Sequence, residues 1–128
     1  MRKYVAFAFA VAFGLGLSFS LGVSSASESP KAKHTTSEVM KKMHKEVKFH
    51  KKLATGTATD ADKKLALEYF SSLWYNEPPT GSIESWREKV GGVIAATCQV
   101  FLGEEGAAQA FKEANNCKGC HDTHKEKK

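Results

Sequence analysis

The chain has 128 residues, a formal net charge of +5, a pI near 9.1 and 41% hydrophobic residues. That length holds one domain with a modest core. Two of the positive charges, Arg2 and Lys3, stand at the N-terminus in a stretch without acids. The remaining chain carries +3, with lysines spread among glutamates, so the basic balance describes a solvated helical surface and not a nucleic-acid face.

Met1-Arg2-Lys3 is followed by an apolar run from Tyr4 to Leu21, broken by Gly14 and Gly16, and then by the small residues Val23-Ser24-Ser25-Ala26. This is the pattern of a secretory signal peptide over residues 1–26, with cleavage after Ala26 and export to the periplasm. The run is long for a signal, so an uncleaved membrane anchor is the alternative. No cysteine adjoins the cleavage point, which argues against a lipid anchor. Residues 27–36 are polar, contain Pro30 and read as a linker.

Thr36 or Ser37 caps a first helix running from Ser37 to about Leu53, with Glu38 suited to its positive end. Val39, Met40, Met43, Val47 and Leu53 recur on it at helical spacing. Thr55-Gly56-Thr57 ends it. Thr59-Asp60 opens a second helix to about Tyr75, whose apolar face is Leu65, Ala66, Tyr69, Phe70, Leu73 and Trp74. Asn76 to Gly81, with Pro78 and Pro79, is a turn, because neither proline fits a helix interior.

Ser82, or Ser85 with Glu88 at capping-box spacing, starts a third helix. Its apolar positions are Trp86, Val90, Val93, Ile94, Ala95 and Val100 to Leu102. Gly91-Gly92 inside it costs roughly 1 kcal/mol per glycine and implies a bend or the close approach of a neighbour. Cys98 reads as a small buried residue, with an intermolecular disulfide as the lesser reading. Gly103 to Gly106 turns the chain into a fourth helix from Ala107 to Lys125, carrying Ala108, Phe111 and Ala114, and residues 126–128 form a frayed tail. No segment alternates with period two, so no sheet is expected. The fold expected for residues 37–125 is all-α, an up-down-up-down antiparallel four-helix bundle.

The fourth helix carries Cys117-Lys118-Gly119-Cys120-His121, which is C-x-x-C-H, the attachment signature of c-type haem. Two thiols three positions apart lie side by side on a helix and suit the two vinyl groups of one porphyrin. His121 then supplies its imidazole to the iron as proximal ligand. The expected cofactor is one covalent haem c. The competing readings are a redox pair, or a zinc or copper site built from Cys117, Cys120, His121 and further histidines.

A C-x-x-C-H in the last helix of an exported four-helix protein resembles the class II cytochromes c, the cytochrome c-prime family. The stretch Glu38-Val39-Met40-Lys41-Lys42-Met43 is similar to that family's first helix. There, one residue faces the iron from the distal side; it is Leu, Phe or Tyr where the sixth site stays open and Met where it ligates. The matching residue is Met40, so the resemblance implies His121/Met40 ligation. Bundle geometry agrees, since the start of the first helix lies level with the end of the fourth. Met43 and His44, roughly 5 Å further along, are alternatives, with Met43 suited to pocket packing and His44 to ligation. His50 lies roughly 15 Å from Met40 on a straight helix, too far to share that iron. His50 and His124 therefore read as surface or haem-edge residues, and His34 precedes the helix. Where members commonly carry a basic residue after the motif, this chain has Asp122-Thr123-His124-Lys125, leaving Lys125 or His124 for a propionate.

The resemblance implies a one-electron carrier outside the cytoplasm, with a transient and preferably acidic redox partner steered by lysines. Members often pair through their first two helices, so a homodimer is the alternative to a monomer. A five-coordinate protein binding NO or CO is the second reading, and a non-haem exported metal-binding protein the third. No catalytic triad, phosphate loop or paired catalytic carboxylate stands out, so no enzyme is expected.

Overall fold

The computed structural model describes residues 30–127. The expected signal peptide, its cleavage point, the first residues of the linker and Lys128 lie outside them. Among the described residues every regular element is helical, and the helices pack as a bundle.

The first element, α1, spans Thr36–Lys41 and starts one residue earlier than the cap signals suggested. Thr35 is the cap: its hydroxyl accepts from the Glu38 amide, and the Glu38 carboxylate accepts from the Thr35 amide at 2.7 Å. The expected continuous helix to Leu53 is corrected here. A π-helical turn, Lys42–Glu46, interrupts it, Lys48 takes a left-handed conformation at φ 55°, and α2, Phe49–Ala54, restarts the helix. The core explains the break. Val39 and Met43 are buried four apart, and so are Phe49 and Leu53, but six residues separate the two pairs. On an uninterrupted helix the four would spread over about 120°, with Met43 and Phe49 at opposite edges of the buried face. The wider turn and Lys48 absorb that spread.

The second expected helix is α3, Asp60–Trp74, with Thr59 and Asp62 forming its capping box. The third is α4, Ile83–Leu102, for which Ser82 and not Ser85 is the cap. α4 runs unbroken through Gly91-Gly92. A Cβ on Gly91 would sit 3.4 Å from the Trp74 ring, so of the two outcomes expected there the close neighbour is the one observed. The expected fourth helix is also corrected: it divides into α5, Ala107–Ala114, and α6, Cys117–His124. Asn115 and Asn116 separate them, and the Asn116 side chain caps α6 by accepting from the Gly119 amide at 2.9 Å. Asparagine favours such positions because its side chain competes for backbone hydrogen bonds.

One core joins the elements. Phe49, Phe70, Phe111, Leu53 and Val39 are fully buried, and the Phe70 and Phe111 rings lie 5.9 Å apart. Each buried phenylalanine stabilises the fold by about 1.5–3 kcal/mol. α3 packs on α4, α4 on α5, and α2 on α5 and α3. Trp86 of α4 donates to the Leu73 carbonyl at the end of α3, at 2.8 Å. The segment before α1 is pinned rather than loose. His34 stacks on Tyr69 at 4.0 Å, and Asn76 donates to the His34 carbonyl. Cys98 is half-buried, less enclosed than expected.

Candidate functional site

The first helical stretch, α3, α4 and α6 enclose a cleft of about 600 Å³, its open mouth included. Met40, Met43 and His44 form one wall. Phe70, Leu73, Trp86, Val90 and Val93 form an apolar floor. Ala114, Asn115, Asn116, Cys117 and Cys120 close the far side, and Lys89 is the one lysine on the lining. The cleft thus joins both cysteines of C-x-x-C-H to all three residues expected to compete for the distal position.

Local folding explains both walls. In an α-helix the Met43 carbonyl would accept from the Val47 amide; in the π turn that amide donates to Lys42 instead, at 3.1 Å. The orphaned Met43 carbonyl accepts from His50 Nδ1 at 2.7 Å, which fixes the His50 proton on Nδ1. The backbone turns at Lys48, so His50 folds back beside the turn and its ring lies 4.7 Å from that of His44. The expectation that His50 stands well away from this site is therefore corrected: it assumed a straight helix. On the opposite wall, the break at Asn115-Asn116 starts α6 at Cys117, with its thiol exposed and that of Cys120 half-buried.

Met43 is buried in the core, as expected of a packing residue, while Met40 and His44 are half-buried at the cleft. Burial pushes the His44 pKa below its ordinary 6.5, and repulsion from His50 and His121 pushes it further in the same direction, which keeps the ring neutral at pH 7. His121 is not among the residues that line the cleft. His121 itself is half-buried on α6, directly after Cys120. Burial pushes the Cys120 thiol up, partly offset by the Lys89 cation.

His124 corrects a further expectation. It is 2% exposed, not a surface or haem-edge group. Its Nδ1 donates to the Thr80 carbonyl at 2.9 Å, Nε2 accepts from the Ser85 hydroxyl at 3.2 Å, and the ring meets Trp86 edge-on. Both nitrogens are occupied, so His124 is not free for a propionate or for a zinc site with the cysteines. It bolts the end of α6 to the start of α4, and the bond from the Thr80 hydroxyl to the Thr123 carbonyl, 2.9 Å, reinforces the joint.

The donor set suits a covalent haem. Two free thiols three positions apart border an apolar cleft, an imidazole follows them in sequence, and a thioether and a second imidazole stand on the facing wall. Lys89, Phe70, Leu73 and Trp86 escaped notice as cleft residues because only tertiary packing brings them there. No helix among the described residues is long and apolar enough to cross a membrane. Comparisons of the chain with protein-family models, curated proteins and solved structures find no match.

Proposed function

We propose that the chain is an exported c-type cytochrome that carries one electron at a time. In this reading the mature chain is an up-down-up-down four-helix bundle in the periplasm, haem c is attached through Cys117 and Cys120, His121 is the proximal ligand and Met40 the distal one. The observation that carries the reading is the meeting of both motif thiols with Met40 and His44 across one apolar cleft.

The haem supplies a reversible one-electron couple. The protein's part follows from its own residues. Cys117 and Cys120 hold the cofactor by thioether bonds, so it cannot dissociate. Phe70, Leu73, Trp86, Val90 and Val93 keep water from the buried face. His121 and Met40 would bind the iron in both oxidation states, so little would rearrange when an electron enters. A methionine opposite a histidine favours the reduced form relative to two histidines. The exposed Cys117 edge, with Lys118 beside it, is where an acidic redox partner docks transiently.

The reading is tested by expressing the full chain, leader included, in a host that matures c-type cytochromes. The mature protein is expected to keep its haem through denaturing electrophoresis, with a mass increased by one haem. Cys117→Ser with Cys120→Ser should abolish both. A haem-free protein that binds zinc stoichiometrically through Cys117 and Cys120 would contradict the reading and favour the non-haem alternative.

A further inference from the structure

We infer that His44 is a second distal donor to the haem iron, standing ready to replace Met40. The inference rests on the function proposed above and goes beyond it, because it gives one wall of the cleft two ligands in place of one.

Hydrogen bonding sorts the five histidines. His34 bonds to Glu68, His50 to the Met43 carbonyl, and His124 to the Thr80 carbonyl and the Ser85 hydroxyl. Among the described residues neither ring nitrogen of His44 or His121 has such a partner. His44 lines the cleft together with both motif thiols, and His121 directly follows Cys120. Neither ring is sealed from solvent, so the lone pair of His44 is free to meet a group that enters the cleft.

The backbone supports the same assignment. Met40 and His44 stand four residues apart, both on the cleft wall, and the π turn lies between and around them. Single π turns inside helices occur frequently at functional sites. Here the turn frees the Met43 carbonyl, the carbonyl holds His50, and the His50 ring sets that of His44 from 4.7 Å. His50 is thus a positioning residue and His44 the donor.

The exchange is chemically simple. With haem bound, the bond from the Met40 sulfur to the iron would break and one from a His44 ring nitrogen would form, with no electron moved. With His44 bound, the iron would offer no open site to carbon monoxide or nitric oxide even where Met40 no longer ligates.

The test compares haem-loaded wild type, Met40→Leu, His44→Ala and the double variant by absorption in both oxidation states, with and without CO, and by midpoint potential. Leucine keeps the volume at position 40, and thermal unfolding of each holoprotein separates loss of ligand from loss of fold. The expected Met40→Leu protein stays low-spin and refuses CO, loses the sulfur-to-iron charge-transfer band and drops in potential, as replacement of Met by His requires. Only the double variant turns high-spin and takes up CO. A Met40→Leu protein that is high-spin and binds CO as readily as the double variant overturns the inference. Failure of the underlying reading looks different: the wild type itself has no Soret band.

Discussion

At the scale of single residues, the histidines carry most of the information, and their roles were unequally legible. His121 stood out by its place in the motif. His124, three residues later, looked like a haem-edge group, because nothing local says that the turn between α3 and α4 folds onto it. Its two hydrogen bonds predict that His124→Ala costs about 3 kcal/mol, leaving the Thr80 carbonyl and Ser85 hydroxyl without their buried partner. Gly81 belongs to the same joint. A Cβ there would stand 2.7 Å from His124 Nδ1, at φ +81°, so Gly81→Ala should cost at least about 1 kcal/mol. Urea unfolding at neutral pH checks both, read as lower midpoints at unchanged slope. The caps give a pH dependence. Bonding to Thr35 holds the Glu38 carboxyl below its ordinary 4.5, and Lys52 together with Thr59 holds Asp62 below 3.8. A carboxylate depressed on folding contributes stability that is complete above its unfolded value and lost as pH falls through the folded one. The melting temperature should therefore fall as pH drops below about 4.5. Glu38→Gln combined with Asp62→Asn should flatten that fall. An unchanged acid slope in that variant would contradict the assignment.

At the scale of elements, α3 and α4 were readable because caps and apolar face agree along their whole length. The first and last helices were not, and for related reasons. Val39, Met40, Met43, Val47 and Leu53 fit one helical stripe well enough to hide Phe49, whose complete burial comes with the π turn and the left-handed Lys48. Asn115-Asn116 looked tolerable inside a helix, but their side-chain chemistry favours a cap, and α6 starts where they stop α5. Two substitutions test these features. Lys48→Gly should stabilise the fold by about 1 kcal/mol, since glycine takes φ 55° without the steric cost of a side chain. Asn116→Ala should cost about 1 kcal/mol by uncapping the haem-motif helix. Gly92 has nothing within 4 Å of its missing Cβ and sits mid-helix, so Gly92→Ala should gain up to about 1 kcal/mol. Calorimetry resolves changes of this size as shifts of several degrees.

At the scale of the molecule, the helical class followed from the missing period-two pattern and the four apolar stripes. The cleft did not follow. Cys117 and Cys120 drew attention to one end of the chain, but Phe70, Leu73, Trp86 and Lys89 line the cleft beside them only because α3 and α4 pack side by side. Met40 and His44 were both named from the sequence, while their relation to His50 arises from the fold at Lys48. What emerges is a small helical domain whose two outer helical stretches face each other across an apolar cleft, one bringing the thiols of Cys117 and Cys120, the other Met40 and His44.

The absorption spectrum of the purified mature protein, oxidised, reduced and reduced under CO, tests the central claim most directly. Sharp α and β bands on reduction, a weak sulfur-to-iron charge-transfer band on oxidation and no shift under CO are the predicted result, that of a His121/Met40 electron carrier. A broad high-spin spectrum that shifts under CO would contradict it, leaving Met40 and His44 as packing residues of a gas-binding haem.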